Sequence, residues 1–388
     1  MDIVRGAADI EPTPRGGVIL HRLPAWARAQ CADPQLAMVQ SQPSGVRLAF
    51  RTRATTIELV SLRSTVNYNG LPSRPDGVVE LLIDGRFIDR AVTSGGTADT
   101  VSLTTGAVER HDGPPCTIRF TNLPANAKDV EIWLPHNEKT ELISLVTDAP
   151  VDVLPSHSRP VWVHHGSSIS QGSNAVYPTS TWPAIAARNA GVELINLGFG
   201  GSALLDPFAA RTIGETPADL ISLKLGINVV NTDLMRVRAF GPAVHGFLDT
   251  IREKHKSTPL LVISPIHCPI HEDTPGPGAF DVGALAEGIV RFRATGDRSE
   301  VAQGKLTLEV IRDELKRIVE QRQSTDSELW YLDGRTLYGP PDSQEHPLLD
   351  NLHPDASTHL LIAERFSDLA FSAGTPLDPH RQVHIKTP

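Results

Sequence analysis

The apolar pattern of the chain changes period once, near residue 150, and that change constrains the fold more than any other feature. Before it, apolar and polar residues alternate. "GVRLAFRT" puts Val46, Leu48 and Phe50 on one face of a strand, and "CTIRFTNL" and "DVEIWLPHN" repeat the pattern through Ile118/Phe120 and Val130/Ile132/Leu134. "VVELLIDGRFIDRAV" reads as a hairpin turning at Asp84-Gly85. Short alternating strands without a long helical stripe predict an antiparallel β-sandwich over 1–154.

After the proline-bearing linker "DAPVDVLPSHSRP", continuous apolar runs take over: "VWVHH", "VELINL", "LISLKL", "PLLVISP" and "LWYLD". Helical stretches lie between them. In one, Leu308, Ile311, Leu315 and Ile318 form a single apolar stripe, and "TWPAIAARNA" is another. Strand and helix alternating about five times predict a parallel sheet covered on both faces, hence an α/β unit over 155–375 with 376–388 as a tail. At 388 residues the chain is long for one core, which agrees with two domains. A Gly/Pro-bearing insertion, 266–300, follows the fourth strand and is long enough to suggest a functional loop or lid.

Charge and cysteine content narrow the function classes. The net charge of -9 is spread over interspersed acidic and basic residues, so no basic stripe invites nucleic acid. No run reaches the ~20 apolar residues of a membrane span, and the N-terminus has no apolar segment like that of a secretory signal. The expectation is a cytoplasmic protein. Cys31, Cys116 and Cys268 are widely spaced and read as buried thiols rather than a disulfide framework or zinc site.

In an open parallel sheet, ligands bind beyond the carboxyl ends of the strands. The segments at those ends are of one kind: "GSSISQG" after the first strand, "GFGGSA" after the second, "GINVVN" after the third, and "LDNLHPD" beyond the fifth. Asp350 and His353 are three apart. Pro354 restrains His353 and suits the first position of a following helix with the stripe Ile362/Phe366/Leu369. Asp350 could accept the proton of one ring nitrogen and leave the other as a base, or the pair could merely cap that helix. A base needs a nucleophile, and Ser167, Ser168, Ser170 and Ser173 are candidates. Gly201 and Asn228 are the natural oxyanion donors, one through its backbone N–H and the other through its side chain.

At this point the chain resembles the SGNH hydrolases, also called GDSL esterases. "GSSISQG" is similar to the first family block and makes Ser168 the nucleophile. "NLGFGG" resembles the second and points to Gly201, "GIN" the third and points to Asn228, and "DNLH" the fifth, assigning Asp350 and His353. The resemblance covers about 155–375 and implies a flavodoxin-like fold with a five-stranded parallel sheet. It implies a covalent acyl-enzyme, no cofactor and no metal, and a short-acyl or O-acetyl ester of a small molecule or carbohydrate as substrate. Ser167, Gly200 and Val229 stand where the family has Asp, Ser and Asp, which puts the chain on a side branch. The N-terminal part resembles the jelly roll that precedes some SGNH domains, including two-domain carbohydrate deacetylases. An acyltransferase using the same serine is the alternative. A catalytically silent binding scaffold is disfavoured because Ser168, Asp350 and His353 are all present. Oligomeric state is open.

Rival readings are weaker. "GFGGSA" satisfies a dinucleotide fingerprint with Asp219 about twenty residues on, but in the second strand unit and with Asp219 before its strand. His164, His165, His267, His271, Glu272 and Asp273 could be metal ligands. Yet adjacent strand residues point to opposite faces, and Pro269 spoils a helix between His267 and His271. "GSSIS" fails the nucleophile-elbow pattern. Trp162, Tyr177 and Trp182 flank the serine turn and read as packing residues.

Overall fold

The computed structural model describes residues 2–102, 104–154 and 159–381. The middle of the expected linker, 155–158, and the end of the expected tail, 382–388, lie outside the described residues. Five strands form the parallel sheet: β1 (Val161–Gly166), β2 (Glu193–Gly198), β3 (Leu220–Lys224), β4 (Leu260–Ile263) and β5 (Leu329–Leu332). Their order is β2-β1-β3-β4-β5, the flavodoxin-like order, with its switch point between β1 and β3. Every residue of β1, β3 and β4 is buried, as helices on both faces require.

Alternation along β1 sorts its side chains between those helices. The Trp162 ring stacks on Phe366 at 5.3 Å and His164 meets Trp182 edge-on at 4.7 Å, on the face covered by Trp182–Ala190 and Ala356–Phe366. His165 stacks on Phe247 of Val237–Arg252 at 5.7 Å, on the opposite face. The stripe Leu308/Ile311/Leu315/Ile318 is wholly buried on Leu308–Arg322. The stripe expected near the C-terminus differs in part. Ile362 and Phe366 are buried, but Leu369 is exposed because the helix loosens into a wider turn at Ser367–Phe371 and buries Ala370 and Phe371 instead.

The N-terminal half forms a six-stranded and a seven-stranded sheet. Their shared core includes Val46, Leu48, Phe50, Ile118, Phe120, Val130, Ile132 and Leu134, the residues the alternation puts inward. Asp84 and Gly85, both at positive φ (49° and 75°), turn the hairpin between Val78–Ile83 and Arg86–Val92. One pairing departs from the antiparallel expectation: Ile57–Tyr68 runs parallel to Thr97–Val101.

The two halves are not packed independently. Leu23, Ala27, Leu36 and Val39, around the short helices Ala25–Arg28 and Pro34–Gln40, join the core of the parallel-sheet unit. Buried Glu80 accepts from Thr179 N–H at 3.1 Å and from its hydroxyl at 2.6 Å. Arg159 bridges Glu131 (3.1 Å) and Glu193 (2.9 Å), and Arg47 pairs with Glu193. At the far end, Leu377 of the segment read as a tail is fully buried. Among the described residues no helix is long and apolar enough to cross a membrane, and all three cysteines are free thiols.

Candidate active site

β1 ends at Gly166, and the chain turns at once into the single helical turn Ser168–Gln171. Of the serines here, Ser167 and Ser170 are buried, whereas Ser168 is partly exposed at the carboxyl edge of the sheet. Its Oγ lies 2.9 Å from His353 Nε2. His353 Nδ1 lies 2.7 Å from Asp350 Oδ2, and because a carboxylate only accepts, Nδ1 carries the proton and Nε2 offers its lone pair to Ser168. Ser170 makes a second Ser–His contact, to His164 Nε2 at 2.8 Å, but both side chains are shut in the core and meet no substrate.

Asp350 is fixed by its own turn. Its Oδ1 accepts the N–H of His353 at 2.7 Å and of Leu352 at 2.9 Å. Burial opposes its ionisation, but the bond and attraction to His353 and these N–H groups outweigh burial, so its carboxyl sits below the usual range. The helix after this turn is capped by Asp355, which accepts from Thr358 N–H at 2.8 Å. Asp350 and His353 therefore do not cap it, and Pro354 precedes the cap instead of occupying the first helical position.

Gly201 lies in the turn after β2 and Asn228 in the short helix after β3. Gly201 needs φ +73°, a conformation that favours glycine. The N–H groups of Ser168 and Gly201 have no protein acceptor among the described residues. Asn228 Oδ1 accepts from Ala203 N–H at 3.1 Å, which fixes the carboxamide and leaves its NH2 end without a protein acceptor there. Three unengaged donors thus sit on the turns at the carboxyl ends of β1, β2 and β3. Such an arrangement can hold an oxyanion.

Several residues that set this geometry come from the N-terminal half and carry no sequence signal. Gly200 is held from both sides: Gln171 Oε1 accepts its N–H at 2.8 Å and Gln35 Nε2 donates to its carbonyl at 2.8 Å. Gln171 is itself bonded to Gln42, and its carbonyl accepts from Ser44. Arg22, fully buried, donates to the carbonyls of Asn196 (3.0 Å), Gly198 (2.6 Å), Gln42 (2.8 Å) and Val39 (2.6 Å). Burial without a carboxylate partner pulls its guanidinium down to about 9. Nothing in the spacing of "LHRLPAW" distinguishes Arg22 from a surface arginine.

The rival readings find no geometry. Asp219 accepts from Val161 N–H at 2.7 Å, at the amino end of the sheet, far from any nucleotide cradle. Glu272 is taken by Arg312 (2.7 and 2.8 Å) and Cys268 N–H (2.8 Å), and His271 contacts Asn231 and Thr274. No group of three or more His, Cys, Asp or Glu side chains converges among the described residues. Within the insertion, Gly278–Phe280 and Phe292–Ala294 pair as a hairpin. It docks on the histidine turn: Phe292 N–H donates to Asp350 O at 2.9 Å, and Asn351 Nδ2 donates to Phe292 O at 3.1 Å.

Residues 158–271 match the model of the GDSL-like lipase/acylhydrolase family. Among solved structures, a salicylyl-acyltransferase from a tetracycline biosynthetic pathway is similar over 93% of this chain and 92% of its own, at 26% identity and TM-score 0.75. A Bacteroides ovatus protein described as a GDSL-like lipase is similar over 94% and 93%, at 19% identity and TM-score 0.63. A family two carbohydrate esterase from Clostridium thermocellum shares the fold over 84% and 90%, at 12% identity and TM-score 0.55. No curated protein matches the sequence.

Proposed function

We propose that this chain, whose residues 158–271 match the GDSL-like lipase/acylhydrolase family, is a serine esterase that cleaves short-acyl esters through a covalent acyl-enzyme. The observation that supports it is the unbroken run Ser168 Oγ–His353–Asp350, at 2.9 and 2.7 Å, beside three unengaged donors. Ser168 attacks the ester carbonyl while His353 Nε2 takes its proton. Asp350 holds the imidazole and stabilises its positive charge. The N–H groups of Ser168 and Gly201 and the side chain of Asn228 receive the oxyanion. On collapse the C–O bond breaks, His353 protonates the departing alcohol, and the serine keeps the acyl group. Water then attacks the acyl-enzyme by the same proton route and releases the acid.

Acyl transfer is the second reading, with an acceptor alcohol in place of water. It is supported by the likeness to the salicylyl-acyltransferase across nearly the whole chain. The likeness in fold to carbohydrate esterases makes a carbohydrate ester the other substrate class to try. Intact-mass labelling with a fluorophosphonate, with p-nitrophenyl acetate and butyrate turnover, tests the enzyme itself. One adduct on the wild type, absent from Ser168→Ala together with turnover, is the expected result. Wild-type turnover in folded Ser168→Ala would refute the assignment. Product analysis with added alcohols separates hydrolysis from transfer.

A further inference from the structure

A cavity of about 550 Å³ opens beside His353, within the size range of small-molecule sites. Its walls come from 66–75 together with Gln42, His136 and Asn137 of the N-terminal half, from 171–176 just after the serine turn, and from the insertion together with 349–353. His353 and Asp350 belong to the wall, whereas Ser168, Gly201 and Asn228 do not, although Ser168 Oγ lies 2.9 Å from His353 Nε2. The space therefore lies on the imidazole side of Ser168, away from the proposed oxyanion donors. In the reaction proposed above, the group next to the imidazole is the alcohol that receives its proton, or the acceptor alcohol that gives one up.

Part of the wall, next to His353, is apolar. Leu71, Val176, Phe280, Ile289, Phe292 and Leu349 face the cavity, and Phe292 stands edge-on to the His353 ring at 5.7 Å. Phe280 stacks behind Phe292 at 5.0 Å. Val176, Ile289 and Leu349 are 52%, 41% and 67% exposed, so three large exposed aliphatic side chains gather at one opening. Exposed apolar clusters of this kind mark a binding surface. Some polar groups in the wall are engaged: Asn137 Nδ2 donates to Pro75 O at 3.0 Å, Asn174 Nδ2 to Asp350 at 3.4 Å, and Gln171 is held as above, whereas Asn137 Oδ1 and His136 Nδ1 have no partner among the described residues. An apolar ring entering here would take these aliphatic side chains and Phe292 out of water, a gain that a sugar's hydroxylated faces would not match.

We propose that this cavity binds the alcohol part of the ester, and that it selects an apolar, ring-bearing alcohol over a sugar. The inference rests on the esterase reading and deepens it. Three acetates of primary alcohols with one acyl group isolate the alcohol's contribution: ethyl acetate, 2-naphthylmethyl acetate and methyl 6-O-acetylglucoside. The expected result is a kcat/KM for the naphthylmethyl ester about a hundredfold above that for the glucoside. Leu71→Asp and Ile289→Asp should each cut the naphthylmethyl-to-ethyl ratio about tenfold or more, mainly through KM. Equal or faster turnover of the glucoside, or a ratio that neither substitution moves, would overturn the proposal. A fluorophosphonate adduct on Ser168 with ethyl acetate turnover in that case leaves the esterase reading standing. Loss of both in the wild type sinks the esterase reading, and this inference with it.

Discussion

Arg22, from the N-terminal half, donates a 2.6 Å hydrogen bond to the carbonyl of Gly198, the residue that ends β2 and begins the turn carrying Gly201. The contact makes the N-terminal half part of the frame that holds a proposed oxyanion donor. Arg22→Met should leave four carbonyls short of a donor and let that turn relax. Each unsatisfied buried group costs about 1–3 kcal/mol, so both the melting temperature and kcat should fall. Lysine should rescue little, because one ammonium cannot reach four carbonyls arranged around a planar fork. Thermal melts and ester kinetics on both variants check this, and wild-type values for Arg22→Met would refute it.

The Asp350 carboxylate accepts from the N–H groups of Leu352 and His353, from Asn174 Nδ2 and from His353 Nδ1, and the last of these sets the His353 tautomer. Asp350→Asn can present an NH2 to Nδ1, which favours the tautomer with its proton on Nε2, facing Ser168. Turnover should drop on the order of ten-thousandfold, with little change in KM. A loss under tenfold in steady-state kinetics would mean that Asp350 is not orienting a base.

Asn228 is held by Ala203 N–H and keeps its NH2 end unengaged. Asn228→Ala should lower kcat on the order of a hundredfold and leave KM nearly unchanged, since the bond forms only as charge develops on oxygen. A rise in KM at constant kcat would assign Asn228 to ground-state binding instead.

Ser170 and Ser168 both touch a histidine, and only their surroundings separate them. Ser170→Ala removes the partner of buried His164 Nε2 and should cost about 1–3 kcal/mol of stability while fluorophosphonate labelling persists. Ser168→Ala should do the reverse, abolishing labelling at an unchanged melting temperature. Retention of the adduct in Ser168→Ala and its loss in Ser170→Ala would exchange the two roles.

The sequence carries the parts of this molecule that repeat or that stand at strand ends. Period-two alternation picks out Phe50, Ile118 and Ile132, because a half-buried strand must alternate. The 3.6-residue stripe picks out Leu308 to Ile318, because a helix on a sheet buries one face. The meeting of Ser168, Asp350 and His353 is legible because the proposed chemistry restricts the residue types and the parallel sheet dictates where they lie. Arg22, Gln35 and Gln171 are not legible. Their roles depend on tertiary approach between segments up to 176 residues apart, which leaves no local pattern. The same holds for the cavity beside His353, whose walls meet only once the two halves are packed.

The buried histidines give the fold an acid limit. Burial lowers His136, His165 and His359 to about 4, each against an ordinary value of 6.5, and holds His164 well below that ordinary value too. A base with a depressed value in the folded state is neutral there while its unfolded counterpart takes up a proton. Between pH 6.5 and about 4 the unfolded chain therefore binds more protons, and stability falls as the pH is lowered. Each histidine contributes a slope of up to about 1.4 kcal/mol per pH unit in that window. The contribution is fully present above pH 6.5. Asp350 adds to the loss only at lower pH, since its carboxyl is held below the usual carboxylate range in the folded state. Melting temperatures recorded from pH 7.5 to 4.5 should hold steady at first, then drop with increasing steepness below pH 6.5. A flat profile down to pH 5 would show that these rings are solvated or shielded by a partner when protonated, and that the core around β1 is looser than its packing implies.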